Sequence, residues 1–143
     1  MAVNTRVVAH DTRTKLEAAV CAEMDRQGLA HSHRLLHYRV RMKSGKVAKY
    51  EPAIVVHRGP ILFLVEPHVS VTATERSLRF LEQHSPEIVY VAVAPARIAA
   101  RMPPESFDEL YVDTELPALV RRIREQDPEG AVRIFLKRRD RTR

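Results

Sequence analysis

The sequence of 143 residues is poor in the residues on which several classes of protein depend. It has one cysteine, Cys21, four glycines and no tryptophan. On sequence grounds, one cysteine excludes both a disulfide framework and a cysteine-based zinc site. The glycines are isolated, which excludes a glycine-rich phosphate-binding loop. No apolar run approaches the ~18 residues of a transmembrane helix, and residues 1–11 lack the apolar stretch of a secretory signal.

The remaining composition is that of a globular protein, with 45% hydrophobic and 29% charged residues. It predicts one domain over residues 1–136, followed by a basic tail over residues 137–143. We expect a soluble, cytoplasmic protein with no membrane partner. The sequence leaves a monomer, a homodimer and a larger complex open.

Positive charge is concentrated in two places, although the formal net charge is only +6. Residues 34–58 hold seven basic residues against one acid, and the last seven residues hold five against one. Such segregation is typical of proteins with a polyanionic partner, whereas a solvated hairpin and tail would show the same pattern. The candidate nucleic-acid contacts are Arg34, Arg39, Arg41, Lys43, Lys46 and Lys49.

Hydrophobic periodicity predicts the first elements. Apolar residues recur every four positions from Leu16 to Met24, which indicates a helix. Thr14 and Glu17 have the spacing of a capping box at its start. Alternating patterns over residues 35–42 and 47–57, around a turn that contains glycine, predict a basic β-hairpin.

A strand–helix–strand unit is predicted next. The apolar strands are Ile61–Val65 and Ile88–Val93, and the helix between them starts near Thr72, which has capping-box spacing to Glu75. This order implies a right-handed parallel crossover.

The final third repeats the alternation more weakly. It predicts a helix over residues 95–102, a strand over 110–112, a helix over 116–123 capped by Asp113 or Thr114, and a strand over 131–136. The predicted class is therefore α/β in the mixed α+β sense, with an αβββαβ core, a mixed central sheet flanked by helices and a C-terminal β-α-β addition.

Two short motifs stand in this element order, Glu51-Pro52-Ala53 before the apolar strand and Glu66-Pro67-His68 at its end. Together with the order of elements they resemble the PD-(D/E)XK nuclease superfamily, and most of all its small restriction-endonuclease-like members. The resemblance covers roughly residues 14–94 and rests on pattern more than on identity. It implies a restriction-endonuclease-like fold.

The resemblance also implies roles for individual residues. Glu17 matches the acid of the first helix and Glu66 matches the motif glutamate. Pro52 matches the motif proline, but Ala53 occupies the position of the metal-binding aspartate and supplies no oxygen ligand. His68 occupies the lysine position, and a histidine with an ordinary pKa is mostly uncharged at neutral pH. The catalytic set that the family uses to hold Mg²⁺ is therefore incomplete.

Three functions remain open. The first is a nuclease-fold protein that binds nucleic acid, DNA before RNA, through a catalytically degenerate centre. The second is an active Mg²⁺- or Mn²⁺-dependent endonuclease, with Glu66 and Glu51 or Glu17 as metal ligands and His68 near the attacking water. The third is a protein-interaction subunit that retains only the fold.

Histidines are close together in one segment. His31 and His33 would share a face if the segment is extended, and His37 follows them. No cysteine and no closely spaced acid completes a recognisable zinc set, so we expect exposed loop and strand histidines. Cys21 lies beside the apolar stripe of the first helix, and we expect it to serve in packing.

Overall fold

A computed structural model describes residues 12–70 and 74–126. Its elements, in chain order, are α1 (Lys15–Arg26), β1 (Ser32–His33), β2 (Tyr38–Arg41), β3 (Val47–Tyr50), β4 (Ile54–Arg58), β5 (Ile61–Pro67), α2 (Thr74–Gln83), β6 (Ile88–Ala94), α3 (Ala96–Ala99), a 3-10 turn (Pro104–Ser106), β7 (Glu109–Val112) and α4 (Leu116–Arg124). None of the helices within these ranges is long and apolar enough to cross a bilayer.

The central sheet has five strands in the order β1-β4-β5-β6-β7. The pairs β1–β4 and β4–β5 are antiparallel, whereas β5–β6 and β6–β7 are parallel. The predicted mixed α+β class, with a mixed sheet flanked by helices, is confirmed. The unit β5–α2–β6 joins two parallel strands, as the sequence predicted.

Alternate side chains of the sheet enter two separate cores, because successive residues of a strand point to opposite faces. On one face Ile54, Phe63 and Val91 pack with α1 and α4. On the other face Leu64 and Tyr90 pack with α2 and with the β2–β3 hairpin. Both faces of β5 and β6 are covered, which explains their nearly continuous apolar sequences.

Helix α1 begins as its capping-box spacing predicted. The Thr14 hydroxyl accepts a hydrogen bond from the Glu17 amide at 3.0 Å. The Glu17 carboxylate in turn accepts one from the Arg13 amide at 3.1 Å. These bonds satisfy backbone donors that a helix N-terminus otherwise leaves unpaired. They also fix the position of the Glu17 side chain at the start of the helix.

The hairpin differs from the prediction in one respect. Strands β2 and β3 pair with each other in a separate two-stranded sheet. The predicted continuous strand over residues 47–57 is wrong, because the chain leaves the hairpin at Glu51 and Pro52 and then enters the central sheet as β4. Proline has no amide hydrogen for a strand ladder, which explains a break at this point.

Side chains of α2 attach the hairpin to the domain. The Gln83 side chain donates to the Arg41 carbonyl at 2.9 Å and accepts from the Arg41 amide at 3.0 Å. Arg79 donates to the same carbonyl at 3.0 Å, and the Lys43 amide donates to Glu75 at 3.3 Å. The bonds pair the edge of the hairpin with a helix and hold its outer face toward solvent.

The last described helix has a different cap from the one predicted. Glu115 is the N-cap of α4, not Asp113 or Thr114, and its side chain accepts a bond from the Val112 amide at 2.7 Å. Pro117 lies in the first turn, where its missing N–H would have no intrahelical partner.

The remaining elements are shorter than expected, were missed or lie outside the described residues. The helix predicted over residues 95–102 is confined to Ala96–Ala99, and β1 was not predicted. The predicted cap Thr72, the strand over 131–136 and the basic tail lie outside the described residues.

Candidate functional site

A cleft of about 360 Å³ opens where β5 ends and β4 begins. Four cationic side chains line it, those of Arg13, Arg34, Lys49 and Arg76. It also contains three of the carboxylates singled out from the sequence, Glu17, Glu51 and Glu66. Residues from α1, the hairpin, β5 and α2 thus converge on one site.

Glu66, at the end of β5, is buried in the wall of the cleft with 8% of its surface exposed. One carboxylate oxygen, Oε2, accepts hydrogen bonds from the Tyr50 hydroxyl and from the Ala53 amide at 2.9 Å. Burial raises the pKa of Glu66 to about 7, although both hydrogen bonds act in the opposite direction. Ala53, which the resemblance aligns with a metal-binding aspartate, instead supplies an N–H donor to Glu66.

Arg76 on α2 lines the cleft beside Tyr50 and Glu66. Its guanidinium carbon lies 4.9 Å from the centroid of the Tyr50 ring, in the arrangement of a cation–π contact. Within the described ranges Arg76 forms no salt bridge, and its charge lowers the pKa of Glu66. No sequence pattern indicated this residue, because only the packing of α2 against the hairpin brings it to the site.

Glu17 is almost completely buried and already fully engaged. Arg34 donates to both of its carboxylate oxygens, at 3.0 and 2.5 Å, and His33 Nδ1 lies 2.8 Å from Oε2. Burial alone would raise the pKa of Glu17, but Arg34, the Arg13 amide and His33 outweigh it, so the pKa is lowered. Glu17 is an ionised carboxylate that holds Arg34 in the cleft.

Arg34 itself adopts a left-handed backbone conformation, with φ of 50°. Such a conformation is uncommon for a residue with a side chain and persists only where the surroundings enforce it. The two bonds to Glu17, together with a 3.2 Å bond from the Arg34 amide to the Ala53 carbonyl, provide that enforcement.

Glu51 and Lys49 occupy the exposed side of the cleft. Their charged atoms are 3.5 Å apart, and both residues are open to solvent. An exposed pair of this kind contributes at most about 1 kcal/mol, so both side chains can rearrange around a ligand. Lys49 is the predicted contact that links the hairpin to the cleft.

The hairpin carries the other predicted cations on its outer face and turn. Arg39, Arg41, Lys43 and Lys46 are all exposed. Arg39 lies directly opposite Lys49 in the ladder. Like charges in such cross-strand pairs destabilise a sheet by up to about 1 kcal/mol.

His68 lies away from the position expected for it. It is buried, its Nε2 atom lies 3.1 Å from the Tyr90 hydroxyl, and that hydroxyl lies 2.8 Å from Ser77 Oγ. Burial lowers the pKa of His68 to about 4, so the ring is neutral at physiological pH. His68 is absent from the residues that line the cleft, and its placement gives no support to a role beside an attacking water.

A second cluster corrects the expectation for the histidines. Cys21 Sγ lies 3.3 Å from His31 Nε2, and the rings of His31 and His33 are 5.2 Å apart. His31 and His33 are partly buried, whereas His37 is exposed as predicted. A cysteine does therefore join the histidines, because α1 packs beside β1. The contact between Cys21 and His31 was not apparent from the sequence, because ten positions separate the two residues.

No model of a known protein family matches the sequence, and no curated protein matches it. The structure is similar to part of the crystal structure of protein VC1899 from Vibrio cholerae, with a TM-score of 0.41 and 14% sequence identity. The aligned region covers 76% of this chain but only 31% of that chain. A similarity of this size identifies neither a family nor a function.

Proposed function

We propose that this protein binds the phosphodiester backbone of nucleic acid, DNA before RNA, without efficient cleavage. The observation that carries the proposal is a cleft lined by four cationic side chains and continuous, through Lys49, with the exposed basic face of the hairpin. Phosphate contacts from arginine and lysine give affinity without any catalytic residue.

In the part of the chain that the structure describes, the cations of the cleft and the hairpin outnumber the carboxylates that line the cleft. Glu17 holds Arg34, and Glu51 lies beside Lys49. Among residues 12–70 and 74–126, Arg76 contacts the Tyr50 ring and forms no salt bridge. On the hairpin, Arg39 and Lys49 face each other with no acid between them on the ladder. Phosphate groups would supply the missing negative charge along this surface.

The carboxylates do not fit an Mg²⁺ or Mn²⁺ centre. Such ions need several carboxylate or water oxygens in close to octahedral geometry. Both oxygens of Glu17 accept bonds from Arg34, and Glu66 Oε2 accepts two bonds from protein donors. Ala53 offers no side-chain oxygen. Metal-dependent hydrolysis is therefore not part of the proposed function. The proposal retains a catalytically degenerate member of the PD-(D/E)XK superfamily.

A metal-dependent endonuclease is the second candidate. One observation favours it, namely that Glu17, Glu51 and Glu66 line a single cleft. Cleavage would require Glu66 to exchange its bonds to Tyr50 and Ala53 for a metal ion. A pure protein-interaction subunit, the third candidate, would show no salt-sensitive binding of DNA.

Two measurements test the proposal together. Fluorescence anisotropy with labelled duplex DNA and RNA, at several salt concentrations, measures affinity and its salt dependence. Incubation of supercoiled, linear and branched DNA with EDTA, Mg²⁺ or Mn²⁺ measures cleavage, with Glu66→Ala as its control. We expect shifted, intact DNA in every lane and affinity that falls steeply with salt.

A charge-matched pair of variants locates the contacts. One variant replaces the exposed hairpin cations by alanine at Arg39, Arg41, Lys43 and Lys46. The control variant removes four exposed arginines that do not line the cleft, Arg97, Arg101, Arg121 and Arg124. If each hairpin cation contacts one phosphate, the slope of log K against log salt falls by about 3 to 4 in the first variant only. Equal losses in both variants would reject the hairpin, and metal-dependent cleavage lost in Glu66→Ala would select the endonuclease.

A further inference from the structure

We propose that Cys21, His31 and His33 form a binding site for a thiophilic divalent cation of the Zn²⁺ class. One potential ligand atom from each residue lies within 4.8 Å of the other two. None of the three ligand residues lines the cleft, although the site adjoins the cleft through Glu17, which contacts His33. The proposal does not depend on the proposed binding of nucleic acid.

The geometry is close to that of a metal centre. Zn–S and Zn–N bonds of about 2.3 and 2.0 Å in a tetrahedral site place sulfur and nitrogen ligands about 3.5 Å apart. Cys21 Sγ and His31 Nε2 are already separated by 3.3 Å. The other two separations, from the His33 nitrogen to the Cys21 sulfur and to the His31 nitrogen, are at most 4.8 Å. They would have to shorten by about 1 Å, which small rotations of the side chains provide.

Both histidine rings are oriented by their second nitrogen. His31 Nδ1 lies 2.9 Å from the Leu29 carbonyl oxygen, and His33 Nδ1 lies 2.8 Å from Glu17 Oε2. A carbonyl and an ionised carboxylate only accept hydrogen bonds, so Nδ1 is the donor in each ring. In the neutral ring Nε2 then carries the lone pair. This arrangement, with a carbonyl or carboxylate behind each ring, is the usual support of metal-binding histidines.

The ligand types select the metal. One thiolate and two imidazoles favour Zn²⁺ over Mg²⁺ or Ca²⁺, which prefer oxygen ligands. Three protein ligands leave a fourth position for water or an exchangeable anion. On binding, the cation replaces the Cys21 thiol proton, which is released to solvent.

Titration with Co²⁺ tests the site directly, since cobalt reports thiolate ligation by its absorption. Tag-free protein is first stripped with EDTA and then dialysed. We expect a thiolate-to-cobalt charge-transfer band that saturates at one equivalent and is bleached by Zn²⁺. Absence of the band in the wild-type protein would overturn the proposal.

Three variants assign the ligands. Cys21→Ser should lose the charge-transfer band, and His31→Ala should weaken Co²⁺ binding by at least about tenfold. His37→Ala is the matched control, because His37 is exposed and outside the cluster, and it should bind like the wild type. A band retained in Cys21→Ser, or equal weakening in His31→Ala and His37→Ala, would refute the assignment. Circular dichroism establishes that each variant is folded, and if Cys21→Ser is not, the two histidine variants still decide.

Discussion

The burial of Glu66 makes a defined prediction for the dependence of stability on pH. In the folded protein its pKa is raised from 4.5 to about 7. The folded state therefore binds the Glu66 proton more tightly than the unfolded state. Stability from this group is complete below pH 4.5 and is lost as the pH rises toward 7. Replacement by glutamine removes the titration and keeps an oxygen that can accept the bonds from Tyr50 and Ala53, since both reach Oε2.

The magnitude follows from the difference between the two pKa values. A rise from 4.5 to about 7 corresponds to about 3 kcal/mol of unfolding free energy between the protonated and ionised limits. Part of this change has already occurred at pH 5. We therefore expect the advantage of Glu66→Gln over the wild-type protein to grow by about 2 to 3 kcal/mol from roughly pH 5 to pH 8.

Urea unfolding of both proteins across this pH range, with EDTA present, measures the effect. Comparing the two proteins at each pH cancels the titration of all other groups. Glu87→Gln provides the control, because Glu87 is exposed and its replacement should leave the pH profile unchanged. A difference between Glu66→Gln and wild type that stays constant with pH, or that grows toward acid, would refute the reasoning.

Three further predictions concern the cap, the buried ion pair and the tail. Thr14→Ala removes the acceptor of the Glu17 amide and should lower the free energy of unfolding by about 1 kcal/mol, with Thr14→Ser close to wild type in the same urea experiment. Arg34→Ala leaves the buried Glu17 carboxylate without its bidentate partner and should lower the free energy of unfolding by about 3 kcal/mol. Thermal and urea unfolding measure this loss, and a value below ~1 kcal/mol would contradict the burial of the pair. Truncation after Leu136 should weaken DNA binding far less than alanine at the four hairpin cations, and equal losses in anisotropy would assign the contacts to the tail.

The sequence predicted those elements that have a strong period and clear boundaries. Ile61–Val65 and Ile88–Val93 were identified as buried strands because their apolar runs are short and flanked by turn residues. Strand β1 was missed because two residues, Ser32 and His33, carry no periodicity. The strand over residues 47–57 was drawn too long, since alternation alone does not show where a proline transfers the chain from one sheet to another.

The candidate site was predictable only in part. Motifs or the charge pattern identified Glu17, Glu51, Glu66, Arg34 and Lys49, and the structure brings them to one cleft. Nothing in the sequence indicated Arg76, because its position depends on how a helix packs.

The protonation states of buried groups could not be predicted from the sequence either. An ordinary pKa was assumed for His68, whereas burial lowers the pKa to about 4. Residue identity gives the ordinary value, but only the fold determines how much water each group loses.

The attachment of the hairpin has a consequence for how this protein can change over evolutionary time. Helix α2 holds the hairpin at Arg41 and Lys43 through their main-chain atoms, which every amino acid except proline provides. The inward side chains Val40 and Tyr50 bear the packing. The outward positions are consequently under little demand from folding. Single substitutions at these outward positions can alter the density and spacing of charge, and each is nearly neutral for stability. Selection can therefore adjust affinity for a polyanion without changing the stability of the domain.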